Sequence, residues 1–160
     1  MRFTLVDRIV ALEPGKTITT VKNLSLAEEY LADHFPGFPV LPGVLMLEAM
    51  TQAAAWLVRV SDDFRHSMVV LKEARNVKYN KFVEPGQALT VKAELLERGE
   101  HEVKIKAHGE VEGAQAVSAR LTLATYNLAD TDADRKLTDE VLKLKLRELL
   151  ALLDRARPAA

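Results

Sequence analysis

The chain of 160 residues has no cysteine. Disulfides, thiol nucleophiles and cysteine-based zinc sites are thereby excluded. It has no excess of charge of either sign: the formal net charge is −1 at pH 7. Nothing in it suggests an electrostatic footprint for nucleic acid. It also has no long hydrophobic run. The longest surrounds Ala53 to Val58, far short of the roughly 20 apolar residues that a membrane span needs, so no membrane insertion is expected. Residues Met1 to Arg8 contain no apolar signal-peptide core, and a cytoplasmic location is expected. His101 and His108 do not have the spacing of a metal motif, and there is no internal repeat. What is present is enough chain for one domain of about 100–200 residues and enough apolar residues to build a core without staples.

Strands are predicted for Phe3 to Leu12 and Thr17 to Asn23, joined by the turn Glu13-Pro14-Gly15-Lys16. There Pro presets φ and Gly accepts a positive one. Ser25 and Glu28 have capping-box spacing, which predicts a short helix toward Leu31. His34 to Gly43 then packs three prolines and two glycines into the eight residues from Pro36, a density that neither a helix nor a paired central strand tolerates. Val44 to about Val60 reads as a helix apolar nearly all round, hence buried on most sides. Met68 to Tyr79 is a further β segment. Around the turns at Glu84-Pro85-Gly86-Gln87, Gly99 and Gly113, three stretches alternate with period two and predict a meander. Asn127 to Lys136 reads as an acidic linker. Leu137 to Ala156 reads as a helix whose Leu142, Leu146, Leu149 and Leu153 form one stripe. The sum is an α+β fold: five or six antiparallel strands curved around one long central helix, with a C-terminal helix appended.

Polar residues interrupt the central helix, among them Glu48, Thr51 and Gln52. Glu48 and Gln52 are four apart and share a face. His34 sits in the Pro/Gly loop, and Pro42-Gly43 suits a helix start, with Gly at the cap and free amides beyond it. An imidazole, a carboxyl in apolar surroundings and free amides could form an acid–base site with an oxyanion stabiliser. A loop His and an early-helix Glu are also ordinary structural features. The residues alone admit both a site and a scaffold.

The stretch His34-Phe35-Pro36-Gly37-Phe38-Pro39-Val40-Leu41-Pro42-Gly43-Val44-Leu45-Met46-Leu47-Glu48-Ala49-Met50-Thr51-Gln52 closely resembles the signature of the β-hydroxyacyl-acyl-carrier-protein dehydratases of fatty-acid synthesis, the FabZ type. Leu5 to Ile9, Lys22-Asn23 and Phe82 to Gly86 match in order and spacing, so the resemblance covers about residues 3 to 126. It implies a hot-dog fold over residues 1–126, with residues 127–160 as an appendage. It implies a hydro-lyase that converts 3-hydroxyacyl carrier-protein thioesters to trans-2-enoyl thioesters. It also implies a homodimer, or a trimer of dimers, with each site taking His from one chain and Glu from the other. By carry-over His34 is the base and Glu48 the acid. The Gly43 amide, with Val44, polarises the thioester carbonyl. Gln52 supports Glu48, and Phe35, Phe38 and Phe82 border the acyl tunnel. No metal or organic cofactor is implied. Acyl carrier protein is the implied partner.

Two departures accompany the resemblance: the His-Arg-Tyr-Pro-Phe stretch usual before Leu5 is absent, and the tail from Leu128 is extra. The tail is expected to serve assembly or partner choice, away from the chemistry. Trp56 and the methionines are expected in the core. A hot-dog thioesterase and a non-catalytic acyl-binding module are the alternative functions. The first would need a carboxylate placed to activate water. The second would keep the tunnel and lose turnover.

Overall fold

A computed structural model describes residues 3–154. Six strands form one antiparallel sheet: β1 (Arg8–Glu13), β2 (Thr17–Asn23), β3 (Met68–Tyr79), β4 (Ala88–Arg98), β5 (Glu102–Val111) and β6 (Ala114–Tyr126), in the order β1-β2-β4-β5-β6-β3. Helix α1 (Gly43–Ser61) is inserted between β2 and β3, and α2 (Lys136–Leu153) closes the described chain. β4, β5 and β6 are the expected meander. The Pro-Gly turns at residues 13–16 and 84–87 form with Gly15 at φ 76° and Gly86 at φ 90°, each closed by a backbone hydrogen bond of 3.0 Å.

The alternating residues decide which face is inside. Leu89, Val91 and Ala93 of β4, Val103, Ile105 and Ala107 of β5, and Ala119, Leu121 and Leu123 of β6 are all buried. They face α1, which packs against β2, β3, β4, β5 and β6. A flat sheet, with strands about 4.8 Å apart, would present only two or three strands to a helix about 10 Å wide. Contact with five requires the sheet to curve around the helix. Ala49, Ala53 and Ala54, each 0% exposed, keep the helix close to the sheet. Truncating a larger buried neighbour such as Leu57 should cost about 2–5 kcal/mol.

Four expectations are corrected. The first strand begins only at Arg8, because the chain before it is tied elsewhere: the Leu5 amide donates to the Gln52 side chain. Ser25 caps no α-helix. Its hydroxyl accepts from the Ala27 amide, and a single 3-10 turn follows at Glu29–Leu31. The Glu28 carboxylate that would complete the capping box is instead 2.6 Å from the buried Lys22 ammonium. Gly43 is not the cap of α1; Pro42 is, and Gly43 is the first helical residue. Finally, residues 127–136 are not a loose linker. They form two 3-10 turns, the first held by reciprocal bonds between Asn127 and Asp130. Residues 155 and 156, expected in the last helix, lie outside the described residues.

This ordered segment docks α2 on the sheet domain. Asp139 is 2% exposed. It accepts a hydrogen bond from the Ser67 hydroxyl and from the amides of Leu128 and Ala129, each at 2.9 Å. Burial pushes its carboxyl up, but the Ser67 hydroxyl and the two amides outweigh this and hold it below the ordinary aspartate value. Further along, the Arg147 guanidinium donates to the Asp63 carboxylate at 2.9 Å and to the Asp63 carbonyl at 2.8 Å. It also lies 4.5 Å over the Phe64 ring. The stripe predicted from spacing faces inward through Leu146, Leu149 and Leu153. Leu137, Val141, Leu144 and Leu152 remain exposed on the other side. Among the described residues, no helix is long and apolar enough to cross a membrane.

Candidate active site

The Pro/Gly loop is ordered by its own backbone. Phe35 and Phe38 exchange hydrogen bonds of 3.1 and 2.9 Å around Pro36-Gly37, with Gly37 at φ 81°. Pro then a left-handed Gly is the pattern of a type II turn. The Val40 amide donates to the His34 carbonyl at 3.2 Å, and the Leu41 amide donates to Val83 at 2.9 Å. Val40 and Leu41 are buried, at 0% and 1% exposure, and so anchor the loop to the core. His34 is oriented twice. Its ring stacks on Phe35 at 4.1 Å, and Nδ1 lies 3.3 Å from the Val40 carbonyl oxygen. A carbonyl can only accept, so Nδ1 carries the proton and the Nε2 lone pair is left for a base.

His34 lines a cavity of about 280 Å³ with Phe35, Gly43, Met46, Tyr79 and Phe82. A Cβ on Gly43 would stand 3.1 Å from the Tyr79 ring, a tight contact that the ring would have to yield to by a few tenths of an ångström. The first bonds within α1 are donated by Leu45 and Met46 to the Pro42 carbonyl. The Gly43 and Val44 amides precede that ladder, at the positive end of the helix dipole. Of the residues expected at the site, Phe35, Phe82 and Gly43 join His34. The Val44 side chain is 69% exposed and lines neither this cavity nor that of Glu48. Phe38 also lines neither, but meets the Phe82 ring edge-on at 5.7 Å.

Glu48 lines a second cavity, of about 420 Å³, with Gln52, Trp56, Arg59 and residues 69–71 of β3. Gln52 Nε2 donates to Glu48 Oε1 at 3.0 Å and to the Phe3 carbonyl at 2.8 Å. Gln52 Oε1 accepts from the Leu5 amide at 2.9 Å. Both amide hydrogens and the oxygen are thus engaged, and the side chain is locked. Only Oε1 of Glu48 accepts from Gln52, so Oε2 is not engaged by that amide. Arg59 lies 5.5 Å over the Trp56 ring, and burial lowers its guanidinium to about 10. Among the described residues no carboxylate forms an ion pair with it.

His34 and Glu48 therefore do not meet within one chain. Met46 faces the first cavity and Glu48 the second. Two residues along a helix are about 200° of rotation, which puts the two side chains on opposite flanks of α1. Sequence reasoning missed Tyr79, Asn80 and Lys81 beside His34. It also placed Trp56 and Met46 in the core; they are buried, yet each lines a cavity. The tail is corrected as well. Leu146, Leu149 and Leu153 share the cavity of Glu48, although nearly a hundred residues separate Glu48 from Leu146. No sequence signal carried this, since it depends on where α2 docks.

A long helix held in a curved antiparallel sheet, with a His-bearing loop at the helix start, defines a protein of the hot-dog class. Solved structures share this fold. The dehydratase heterocomplex ApeI:P from Xenorhabdus doucetiae superposes with a TM-score of 0.67, covering 84% of this chain and 90% of that one at 18% identity. A hypothetical thioesterase with coenzyme A from Streptococcus pneumoniae gives 0.55, covering 74% and 84% at 15% identity. At such identities the likeness concerns the fold alone.

The family model of the FabA-like domain matches residues 1–120, and the chain belongs to that family. Among curated relatives, a protein of Ruminiclostridium cellulolyticum named 3-hydroxyacyl-[acyl-carrier-protein] dehydratase FabZ is 38% identical over 122 residues, 76% of this chain and 86% of that one. One of the same name from Albidiferax ferrireducens is 40% identical over 130 residues, 79% and 87% respectively.

Proposed function

We propose that the chain is a hydro-lyase that dehydrates 3-hydroxyacyl thioesters carried on acyl carrier protein, in fatty-acid or related lipid biosynthesis in the cytoplasm. The relatives' activity supports the reaction class. The observation that carries the mechanism is the complementary state of the two candidate residues: an imidazole with Nε2 open and a carboxyl with Oε2 open. His34 Nε2 removes a proton from C2 of the substrate. The charge that moves onto the thioester oxygen is stabilised by the Gly43 and Val44 amides. Glu48 Oε2 donates its proton to the C3 hydroxyl, the C3–O bond breaks, and water leaves a trans-2-enoyl thioester. The proton taken by His34 is returned to Glu48 or to solvent before the next turnover. General acid–base groups contribute about 100–10,000-fold each.

The residues 1–126 unit carries this chemistry and works as a homodimer, alone or in a trimer of dimers. β3 is an edge strand. The Glu48 cavity abuts its beginning, residues 69–71. The His34 cavity abuts its end, at Tyr79. A two-fold antiparallel pairing of β3 with the partner's β3 would set the beginning of one against the end of the other. Glu48 of one chain then faces the His34 cavity of the next, so each site is shared. The test is mass spectrometry of a 3-hydroxyacyl carrier protein incubated with the enzyme. Loss of one water is expected. Release of the free hydroxy acid would make the protein a thioesterase, and no change would make it a binder.

A further inference from the structure

The 420 Å³ cavity behind Glu48 is of a size that holds an extended small ligand. Three sides come from the sheet domain: α1 through Trp56, the segment before β1 through Phe3, and β3 through Leu71. The fourth is α2, through Leu146, Leu149 and Leu153. That helix is not resting there loosely. Asp139 ties its first turn to Ser67 and to the amides of Leu128 and Ala129, and Arg147 clamps its middle to Asp63. Fixed at its first turn and again at its middle, the helix holds the leucines that line the cavity, Leu146 just before Arg147 and Leu149 and Leu153 after it, at a set distance from Glu48.

We infer that α2 is the wall of the acyl-chain site, and that Leu149 with Leu146 determines which acyl groups reach Glu48. The inference rests on the dehydratase reading for the identity of the ligand, an acyl thioester. It goes beyond that reading by assigning specificity to the appended helix. A wall built from a separately anchored helix makes the depth of the site adjustable without touching α1 or the sheet. A bulkier side chain at residue 149 shortens the space beside Glu48, and a smaller one lengthens it. One methylene more or less in an apolar pocket changes discrimination by about 10–200-fold.

The experiment uses the full chain, as wild type, Leu149→Phe and Leu149→Ala, each checked for a native circular dichroism spectrum. Straight-chain 3-hydroxyacyl carrier-protein substrates of short, medium and long chain are compared by kcat/KM. The ratio of long to short should fall about tenfold or more in Leu149→Phe and rise in Leu149→Ala. In parallel, non-reactive acyl-pantetheine thioethers of the same lengths are titrated against the fluorescence of Trp56, the single tryptophan of the chain, which lines the cavity. The preferred length should shift in the same direction. If the wild type dehydrates nothing but the Trp56 titrations shift with residue 149, the dehydratase reading falls and the wall stands. If folded variants keep the wild-type chain-length profile in both assays, the wall assignment is overturned.

Discussion

Gln52 Nε2 stands 3.0 Å from Glu48 Oε1, one helical turn along α1, and the other two bonds of the Gln52 amide, to the Phe3 carbonyl and from the Leu5 amide, hold it in that orientation. Its Oε1 must face the Leu5 amide, because that amide can only donate. The Glu48 carboxyl is therefore presented by a side chain that has no freedom to turn away.

Replacing Gln52 by Leu should lower kcat about ten- to a hundredfold with KM little changed, since the loss is in the orientation of the acid. It should also lower the melting temperature, because the Leu5 amide loses its acceptor. Gln52→Glu should shift the alkaline limb of the pH–rate profile, where the acid loses its proton, upward, as two carboxyls one hydrogen bond apart resist double ionisation. Unchanged kcat and an unchanged profile in both variants would remove Gln52 from the site.

His34→Ala and Glu48→Gln should each reduce turnover by about 100–10,000-fold while leaving the thermal midpoint near that of wild type. Both side chains are only partly buried, and neither is part of the hydrophobic core. A folded His34→Ala protein with near-normal activity would refute the base assignment.

Much of this was legible in the residues. The four-residue spacing of Glu48 and Gln52 on an apolar helix places them on one face, and the Pro36-Gly37 pair announces its turn. Period-two alternation marked β4, β5 and β6 because one face of each is buried. Other features depended on distant residues. Ser25 and Glu28 spelled a helix start, but the buried Lys22 ammonium took the carboxylate. Tyr79 reaches Gly43 only because β3 runs back beside α1, and Leu149 reaches the Glu48 cavity only because Asp139 finds Ser67. Local patterns do not encode such meetings.

Asp139 makes the docking of α2 sensitive to acid. Its folded value is held below the ordinary 3.8, so its contribution is fully present above that value and is lost as pH falls through the folded one. Hydrogen exchange of the α2 amides should stay slow down to about the ordinary aspartate value and accelerate below it. Asp139→Asn should expose α2 to exchange and limited proteolysis already at neutral pH. Equal protection in the variant would show that the helix is held by its leucines alone.

Arg59 is charged, largely buried and without an ion pair among the described residues. Burial lowers it to about 10, so the folded state disfavours its charged form and stability should rise as pH climbs through that value. Arg59→Met keeps the stem and removes the charge. Its melting temperature should equal or exceed that of wild type. A fall of more than about 4 °C, roughly 1 kcal/mol or more for a chain of this size, would show that the guanidinium is compensated.

The central claim is that His34 of one chain works with Glu48 of another, and subunit complementation tests it most directly. His34→Ala and Glu48→Gln proteins, each nearly inactive, are denatured, mixed in equal amounts and refolded. Half of the dimers are then mixed, and each mixed dimer contains one intact site made from the Glu48 of one variant and the His34 of the other. The account predicts recovery of about a quarter of wild-type turnover, since one site in two is restored in half of the dimers. If the mixture is no more active than its components while mixed dimers are demonstrably present, the two residues do not act across chains and the shared site is wrong.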